Sequence, residues 1–162
     1  MTYVEVFRQQ YGEVYRDLTE VVSSLPDEAL NWVPYGGANS ISVLLTHLLG
    51  NQVETLRAIR GVPTDRNRSA EFEVKDATQD SLLAQLATAE AVLAELAPQI
   101  TPEELDAIVV RPAALNDTDH TGLYQLGHSI AHAREHVGQI WMTRDLWGVR
   151  SKASTRPALE TS

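Results

Sequence analysis

Four segments of this chain repeat apolar residues at intervals of three and four, a periodicity typical of amphipathic helices. They cover residues 4–24, 41–60, 78–98 and 121–147. Ser40 is placed to cap the second segment, and Gly61 and Pro63 are placed to end it. No segment shows the period-two alternation of a strand convincingly. The pattern predicts an all-α fold, a four-helix bundle with up-and-down or crossover connections.

The segments between these helices add one short helix and suggest one domain. Thr101, Pro102 and Glu104 form a capping-box pattern, which predicts a short extra helix. The long loops after the first and second helices leave room for a crossover connection. A chain of 162 residues suits a single well-buried domain. We predict one bundle domain over residues 1–148, with the last helix ended by Gly148, and a loose C-terminal tail over residues 149–162.

Charge and composition restrict the partners and the chemistry. The formal net charge is −9 and no stripe of Lys and Arg is visible, so we expect no contact with nucleic acid. The absence of cysteine excludes disulfides, thiolate metal ligands and a cysteine nucleophile. No run of 18 apolar residues and no signal-peptide core is present. We therefore expect a cytoplasmic protein with no membrane span.

Four histidines fall on two of the predicted helices. His132 and His136 are four residues apart, so they lie one turn apart on the same face. Two imidazoles spaced in this way can bind one metal ion, and His47 from a facing helix can supply a third ligand. His128 continues the stripe by another turn, and we interpret it as lining the pocket or contacting the ligands. Gly50, one turn after His47, leaves room for something bulky beside that histidine.

An acid and two arginines are further candidates around this site. A ligand histidine usually donates its second N–H to a carboxylate or carbonyl, and Glu54 can accept it, although a solvated glutamate is the favoured reading. Arg66 and Arg68 can bind the carboxylate of a substrate or of a thiol cofactor. The favoured alternative is that they pair with acids of the same loop and fix it. Those acids are Glu71, Glu73 and Asp76.

Two aromatic residues precede the second helix. Trp32 and Tyr35 lie in a turn-rich segment that also contains Pro34 and two glycines. They either line the mouth of the pocket or cover the end of the bundle, and their positions in the sequence leave both readings open.

Three stretches of the sequence carry a resemblance to a known family. They are LNWVP followed by NSISVLLTHLLGN (residues 30–51), RNRSAEF (66–72) and GHSIAHAREHVGQI (127–140). Together they resemble the DinB/YfiT-like superfamily, a group regarded as metalloenzymes. The resemblance implies a four-helix bundle with a crossover, commonly a homodimer, and a divalent metal bound by three histidines. Carried onto this chain, the ligands are His47, His132 and His136.

The resemblance also suggests an activity. Some relatives are thiol transferases or isomerases that use a low-molecular-weight thiol such as bacillithiol or mycothiol. Many others have no known activity, and the Arg-x-Arg-x-x-Glu-Phe variety seen here is closer to those. Imidazole ligands suit several ions. Zinc or nickel is the favoured one, with iron or manganese as alternatives.

The chemistry of such a site leads to three hypotheses. A divalent ion bound by neutral imidazoles makes a bound water or thiol more acidic. Because the chain has no cysteine, the thiol must come from outside, and we expect thiolate attack on an electrophilic small-molecule substrate, with hydrolysis as the runner-up. The second hypothesis is a non-catalytic metal-binding or stress-response bundle, since no further base is compellingly placed. In the third, the histidines form a polar layer with a purely structural role.

Overall fold

The part of the chain that the computed structural model describes, residues 1–110 and 120–154, consists of helices and one pair of two-residue strands. In chain order its elements are α1 (Tyr3–Ser24), α2 (Asp27–Asn31), α3 (Ile41–Ile59), α4 (Arg68–Glu71), α5 (Gln79–Leu96) with a 3-10 turn (Ala97–Gln99), α6 (Pro102–Asp106), β1 (Ile108–Val109), β2 (His120–Thr121) and α7 (Gly122–Ser154). The strands pair antiparallel, with Val109 opposite His120. The all-α prediction is confirmed.

The four long helices form a bundle in which sequence neighbours are not always neighbours in space. Helix α3 packs against α7 and α5, and α1 packs against the same two helices. Helices α1 and α3 therefore occupy opposite corners, so the chain crosses the end of the bundle through α2 to connect them. This is the predicted crossover. As a consequence, α3 packs directly against α7, and these are the two helices that carry His47, His132 and His136.

Side-chain caps explain where the helices begin. Ser40 Oγ accepts from the backbone N–H of Val43, as predicted for the start of α3. Thr101 and Glu104 form the predicted reciprocal capping box at α6. Equivalent boxes start α1 and α5 at Thr2 and Thr78. Each cap satisfies amide donors that the first helical turn leaves without a partner.

The core contains a layer of polar side chains among its apolar ones. The hydroxyl of Tyr11 lies 2.8 Å from Ser129 Oγ, which donates to Asn51 Oδ1 at 3.3 Å. The hydroxyl of Tyr15 donates to Gln52 Oε1 at 3.0 Å. All five residues are buried. Because a buried polar group without a partner is costly, these bonds fix the heights of α1, α3 and α7 relative to one another.

The last helix is longer than predicted. Helix α7 continues through Gly148 to Ser154, whereas the glycine was expected to end it. A glycine inside a helix costs about 1 kcal/mol relative to alanine, and here tertiary contacts offset that cost. The Trp147 ring packs edge-on against Trp32 at 5.6 Å, and the Arg150 guanidinium lies 4.9 Å from the Trp147 ring. Residues 149–154 thus belong to the helix, and residues 155–162 of the predicted tail lie outside the described part of the chain.

Several short elements were not predicted. Helix α2 is held by Asn31, whose side chain bonds both the backbone N–H and the carbonyl of Ala77 at the start of α5. Helix α4 and the strand pair are equally short, and elements of two to five residues leave no measurable periodicity in a sequence. Within the described ranges, no helix combines the length and the apolar character needed to cross a bilayer.

Replacing a fully buried side chain tests the bundle. Leu18 on α1 has no exposed surface, so Leu18→Ala removes apolar contacts and leaves a cavity. We expect the free energy of unfolding to fall by about 2–5 kcal/mol, as measured by urea denaturation. The control is Val149→Ala on the exposed side of α7, where we expect a change within about 0.5 kcal/mol. Similar losses at both positions would contradict this packing.

Candidate metal centre

Three histidines from two helices converge where α3 packs against α7. Nε2 of His47 lies 3.2 Å from Nε2 of His132, and Nε2 of His136 lies 3.1 Å from that same atom. The three nitrogens all lie within 4.8 Å of one another. His47 is buried, and the other two side chains are half-buried. The structure therefore brings the three predicted ligands together, in a group that can hold a metal ion.

Hydrogen bonds orient two of the three rings from outside. Nδ1 of His47 lies 2.8 Å from Glu71 Oε2, and Nδ1 of His136 lies 2.8 Å from Gln139 Oε1. Both partner atoms are oxygens that accept, so each Nδ1 carries the proton and donates it. Each Nε2 then presents its lone pair to the interior of the site, which is the form that binds a metal.

This arrangement of lone pairs fits a cation. Nε2 of His47 and Nε2 of His136 both face Nε2 of His132, and a single proton on His132 can satisfy only one of them. A tetrahedral ion at about 2.0–2.1 Å from imidazole nitrogens places those nitrogens about 3.3 Å apart. The two separations next to His132 are close to that value. The residues present therefore fit a divalent metal held by three imidazoles.

Burial favours the neutral form of two of the histidines, His132 and His136. Burial is the main cause that lowers the pKa of His132 to about 3, and the neighbouring His136 and His47 add to it. Burial also lowers the pKa of His136, although its hydrogen bond with Gln139 acts in the opposite direction. Neutral imidazole is the form that ligates, so protons compete weakly for these two nitrogens. Nδ1 of His132 is buried and has no hydrogen-bond partner among the described residues.

A buried chain of charges supports His47. Arg66 donates from Nε to Glu71 Oε1 at 2.6 Å and from Nη2 to Glu71 Oε2 at 2.8 Å. Its Nη1 donates to Glu54 Oε2 at 2.8 Å. The side chains of Arg66, Glu71 and Glu54 are 6%, 8% and 0% exposed. The contacts thus run from Glu54 through Arg66 and Glu71 to the ring of His47.

The charged states of Glu71 and Arg66 show which atom donates in the contact with His47. Burial raises the pKa of Glu71, but hydrogen bonds from Arg66 and His47 outweigh burial and hold that pKa below its ordinary value. Burial likewise opposes the charge on Arg66, and the bonds to Glu71 and Glu54 raise its pKa. Glu71 is therefore a carboxylate that can only accept, and Nδ1 of His47 must be its donor.

Two of the predictions for these residues need correction. Glu54 was expected to be solvated or to accept directly from a ligand histidine, and instead it is fully buried and bonds Arg66. Arg66 does pair with an acid of its own loop, Glu71, as the favoured reading had it. Arg68 pairs with none of the acids considered and lies 5.1 Å from the ring of Phe72. The burial of Glu54 was not visible in the sequence. It depends on where the loop that carries Arg66 folds, and that loop has no periodicity that predicts its position.

Gly50 accommodates the ion pair. A Cβ on Gly50 would overlap Glu71 Oε1 and come within 3.2 Å of Arg66 Nε. The prediction that something bulky fits beside His47 therefore corresponds to a definite group, the Arg66–Glu71 pair. A side chain at position 50 would displace the carboxylate that orients His47.

Phe72 and His128 flank the triad on its two sides. The Phe72 ring lies 4.7 Å from the His47 ring and shields it. His128 is exposed, and its ring centre lies 6.3 Å from that of His132. Tyr124 on α7 and then His120 on β2 continue this column of rings, with 3.8 Å between those two ring centres. His128 thus lies next to the site but outside the group of converging nitrogens.

The two aromatic candidates separate. Trp32 packs against Trp147 and covers the end of the bundle, which is one of its two predicted roles. Tyr35 is 68% exposed and lines a cavity that also contains Gln139. Tyr35 therefore shares a cavity with Gln139, the hydrogen-bond partner of His136.

Two residues of the site were not identified as partners from the sequence. Glu71 was considered only as a partner of the arginines, and Gln139 appeared only within the motif that follows His136. A signal existed for Gln139, because it lies three residues after His136 on one helix face. For Glu71 the sequence spacing gave no sign of a contact with His47, because Glu71 ends the short helix α4 and its position depends on the loop before that helix.

Fold and site together define a class, the four-helix bundles with a three-histidine centre between two neighbouring helices. The sequence profile of the DinB superfamily matches residues 10–140. The chain belongs to the DinB superfamily, as the resemblance implied. The comparison with curated proteins found no match to this chain.

Solved structures show the same fold. A conserved protein from Enterococcus faecalis is similar with a TM-score of 0.73 and 19% identity, covering 90% of this chain and 97% of that one. A DinB-like protein from Bacillus cereus ATCC 10987 is similar with a TM-score of 0.71 and 15% identity, covering 89% and 92%. At these identities the likeness concerns the fold.

Gly50→Ala tests the support of His47. The added methyl group must displace Glu71, so we expect the zinc affinity to fall by about 10- to 100-fold, the usual effect of losing a residue that orients a ligand histidine. Isothermal titration calorimetry with zinc measures this. Gly12→Ala on α1 is the matched control, because no atom lies within 4 Å of its new Cβ. Equal zinc affinities in all three proteins would contradict the proposed role of the ion pair.

The low pKa of His132 predicts how the stability of the metal-free protein depends on pH. Unfolded histidine titrates near pH 6.5, whereas folded His132 has a pKa of about 3, so between these values the unfolded chain binds more protons. The contribution of neutral His132 to the free energy of unfolding is therefore fully present above pH 6.5 and is lost as the pH falls towards 3. Urea denaturation in the presence of a chelator should show a smaller loss from pH 7 to 5 in His132→Ala than in the parent. An identical pH dependence in both proteins would refute this assignment.

Proposed function

We propose that this protein is a divalent-metal-dependent enzyme that transfers a low-molecular-weight thiol to a small electrophile. The observation that carries the proposal is the convergence of three imidazole Nε2 atoms between α3 and α7. Two of these nitrogens are fixed in the ligating form by Glu71 and Gln139. Membership of the DinB superfamily, in which some relatives transfer thiols, supports the choice of reaction.

The residues divide the work between binding and orientation. His47, His132 and His136 would hold the ion, for which zinc or nickel is the first choice and iron or manganese the alternative. When bound, a divalent metal lowers the pKa of a thiol or water that reaches it. Glu71 keeps the proton on Nδ1 of His47, and the Phe72 ring covers the neighbouring face of that imidazole.

The thiol comes from solution because the chain contains no cysteine. In the step we propose, the sulfur of the deprotonated thiol forms a bond to the electrophilic carbon of an unsaturated carbonyl compound. The π electrons of the broken double bond move to the carbonyl oxygen. The adjacent carbon then takes up a proton equivalent to the one that the thiol lost, so the product is the simple adduct.

A non-catalytic metal-binding bundle, for example one that acts in a stress response, is the alternative. One observation favours it: Glu71 and Glu54, the two carboxylates in the buried contacts behind His47, are bonded to Arg66 and so are not available as bases. Hydrolysis of a small molecule would need such a base more than thiol transfer does, because water is the weaker acid. We therefore rank hydrolysis below thiol transfer.

Three expectations about the surroundings of the protein stay predictions. They are a homodimer, a cytoplasmic location and a small-molecule substrate in place of nucleic acid. The net charge of −9 supports the last of them, because an acidic protein repels a phosphate backbone.

Metal loading and turnover test this function together. We expect protein purified without a histidine tag to bind about one zinc or nickel ion per chain, and His132→Ala to lose most of it. With bacillithiol or mycothiol and a neutral unsaturated ketone, the loaded parent should consume thiol at a saturable rate that His132→Ala lacks. His120→Ala is the control, since that histidine lies outside the triad and stacks on Tyr124. Stoichiometric metal with no turnover of any pair would favour the non-catalytic alternative.

A further inference from the structure

We propose that the cavity beside Gln139 is the binding site for the electrophile, and that it takes a small, uncharged molecule with a carbonyl oxygen. This inference rests on the proposed function, because a molecule bound there becomes a substrate only if the triad activates a thiol. The cavity has a volume of about 230 Å³. It is lined by Pro34, Tyr35, Gly37, Ala38, Asn39, Leu44, Gln139, Met142, Thr143 and Leu146.

The cavity lies along the same pair of helices, α3 and α7, that carry the triad. The two helices run antiparallel, as shown by contacts between Asn51 and Ser129 and between His47 and His132. One turn before His47, α3 contributes Leu44 to the cavity, and α7 contributes Gln139, three residues beyond His136. The segment of residues 34–39 closes the outer side. Gln139 is therefore the residue that the cavity and the triad share, because it lines the cavity and its side chain bonds His136.

Gln139 connects the cavity to the site. Its Oε1 accepts the proton of His136 Nδ1 at 2.8 Å, which leaves its amide nitrogen as a donor. That nitrogen makes no hydrogen bond within the described part of the chain. Because Gln139 also lines the cavity, its N–H groups can donate to an acceptor bound there. One side chain thus contacts both a predicted metal ligand and the proposed substrate.

The lining determines the class of ligand. Among the described residues around the cavity none is charged, so a carboxylate or ammonium group bound there would gain no ionic partner, whereas a neutral group needs none. Leu44, Met142 and Leu146 provide apolar contacts, and the exposed ring of Tyr35 can cover a planar group. The volume is below the range of roughly 300–1,000 Å³ typical of pockets for drug-sized ligands. These features favour a small neutral carbonyl compound with an apolar or aromatic end.

Two probes of matched size and shape test the charge requirement. Benzylideneacetone is a neutral unsaturated ketone with a phenyl ring, and cinnamate replaces its acetyl group with a carboxylate. Each is titrated into metal-free and zinc-loaded protein and followed by heteronuclear NMR, with the side-chain amide signals of Gln139 as the local reporter. We expect saturable shifts with benzylideneacetone in both forms of the protein, and at least about tenfold weaker binding of cinnamate.

Three variants locate the site. Gln139→Glu keeps an oxygen for His136 but removes the amide donor, and Leu146→Trp fills the cavity from its exposed edge. We expect each to weaken the binding of benzylideneacetone to metal-free protein by about tenfold or more. Gln85→Glu is the matched control, because Gln85 accepts from Thr46 on α3 at a different cavity, between α3 and α5. It should bind the ketone as the parent does.

The possible outcomes separate this inference from the proposed function. Ketone binding that both variants weaken supports the site even if no thiol is ever transferred. Thiol transfer by the parent, with ketone binding unaffected by both variants, overturns the site and leaves the proposed function standing. Equal affinity for cinnamate overturns the ligand class. Absence of ketone binding, with a change of oligomeric state in Leu146→Trp, identifies the cavity as a contact between copies of the chain and likewise overturns the proposal.

Discussion

The site depends on the buried ion pairs that the guanidinium of Arg66 makes with Glu71 and Glu54. The guanidinium is bonded to two carboxylates in an environment that excludes water, and breaking such a contact on one side leaves an uncompensated buried charge. Removing any one of these three side chains therefore destabilises the position of the other two. The loop with Arg66 and the short helix α4 with Glu71 are therefore held against α3, and this brings Glu71 to His47. Gly50 is the position at which α3 makes room for it.

The contacts, the histidines and the cavity follow one another along the groove between α3 and α7. The contact between Asn51 and Ser129 fixes the register of the two helices within the core. One turn farther lie the converging imidazoles, and beyond them lies the cavity at Gln139. The crossover permits this order, because a bundle in which each long helix packs beside the next one along the chain would place α3 and α7 at opposite corners. A bundle topology thus decides which side chains can meet.

Most of the fold was predictable because its long helices are strongly periodic and their starts carry side-chain caps at Ser40 and Thr101. The three histidines were also predictable as a group, since spacing on α7 puts two of them on one face. What failed depended on contacts distant in sequence. Gly148 was read locally as a helix end, whereas Trp32 and Arg150 stabilise the helix beyond it.

The residues around the histidines show the same difference between what local sequence predicts and what depends on contacts distant in sequence. Glu54 lies on a periodic helix and was considered, but its burial follows from where a loop folds, and nothing local in the sequence encodes that position. Glu71 ends the short helix α4 that follows that loop, and its role is evident only from its contact with His47. Helix faces can be read from spacing, whereas loop placement depends on the whole packed structure.

The most direct test of the central claim is anomalous diffraction at the metal absorption edge, from crystals of protein purified without a histidine tag. We expect one strong peak at about 2.0–2.1 Å from Nε2 of His47, His132 and His136. Nδ1 of His47 should remain bonded to Glu71 in that structure. A peak at His120 or His128 instead, or no peak within the triad after reconstitution with zinc, would contradict the assignment of these three histidines as a metal centre.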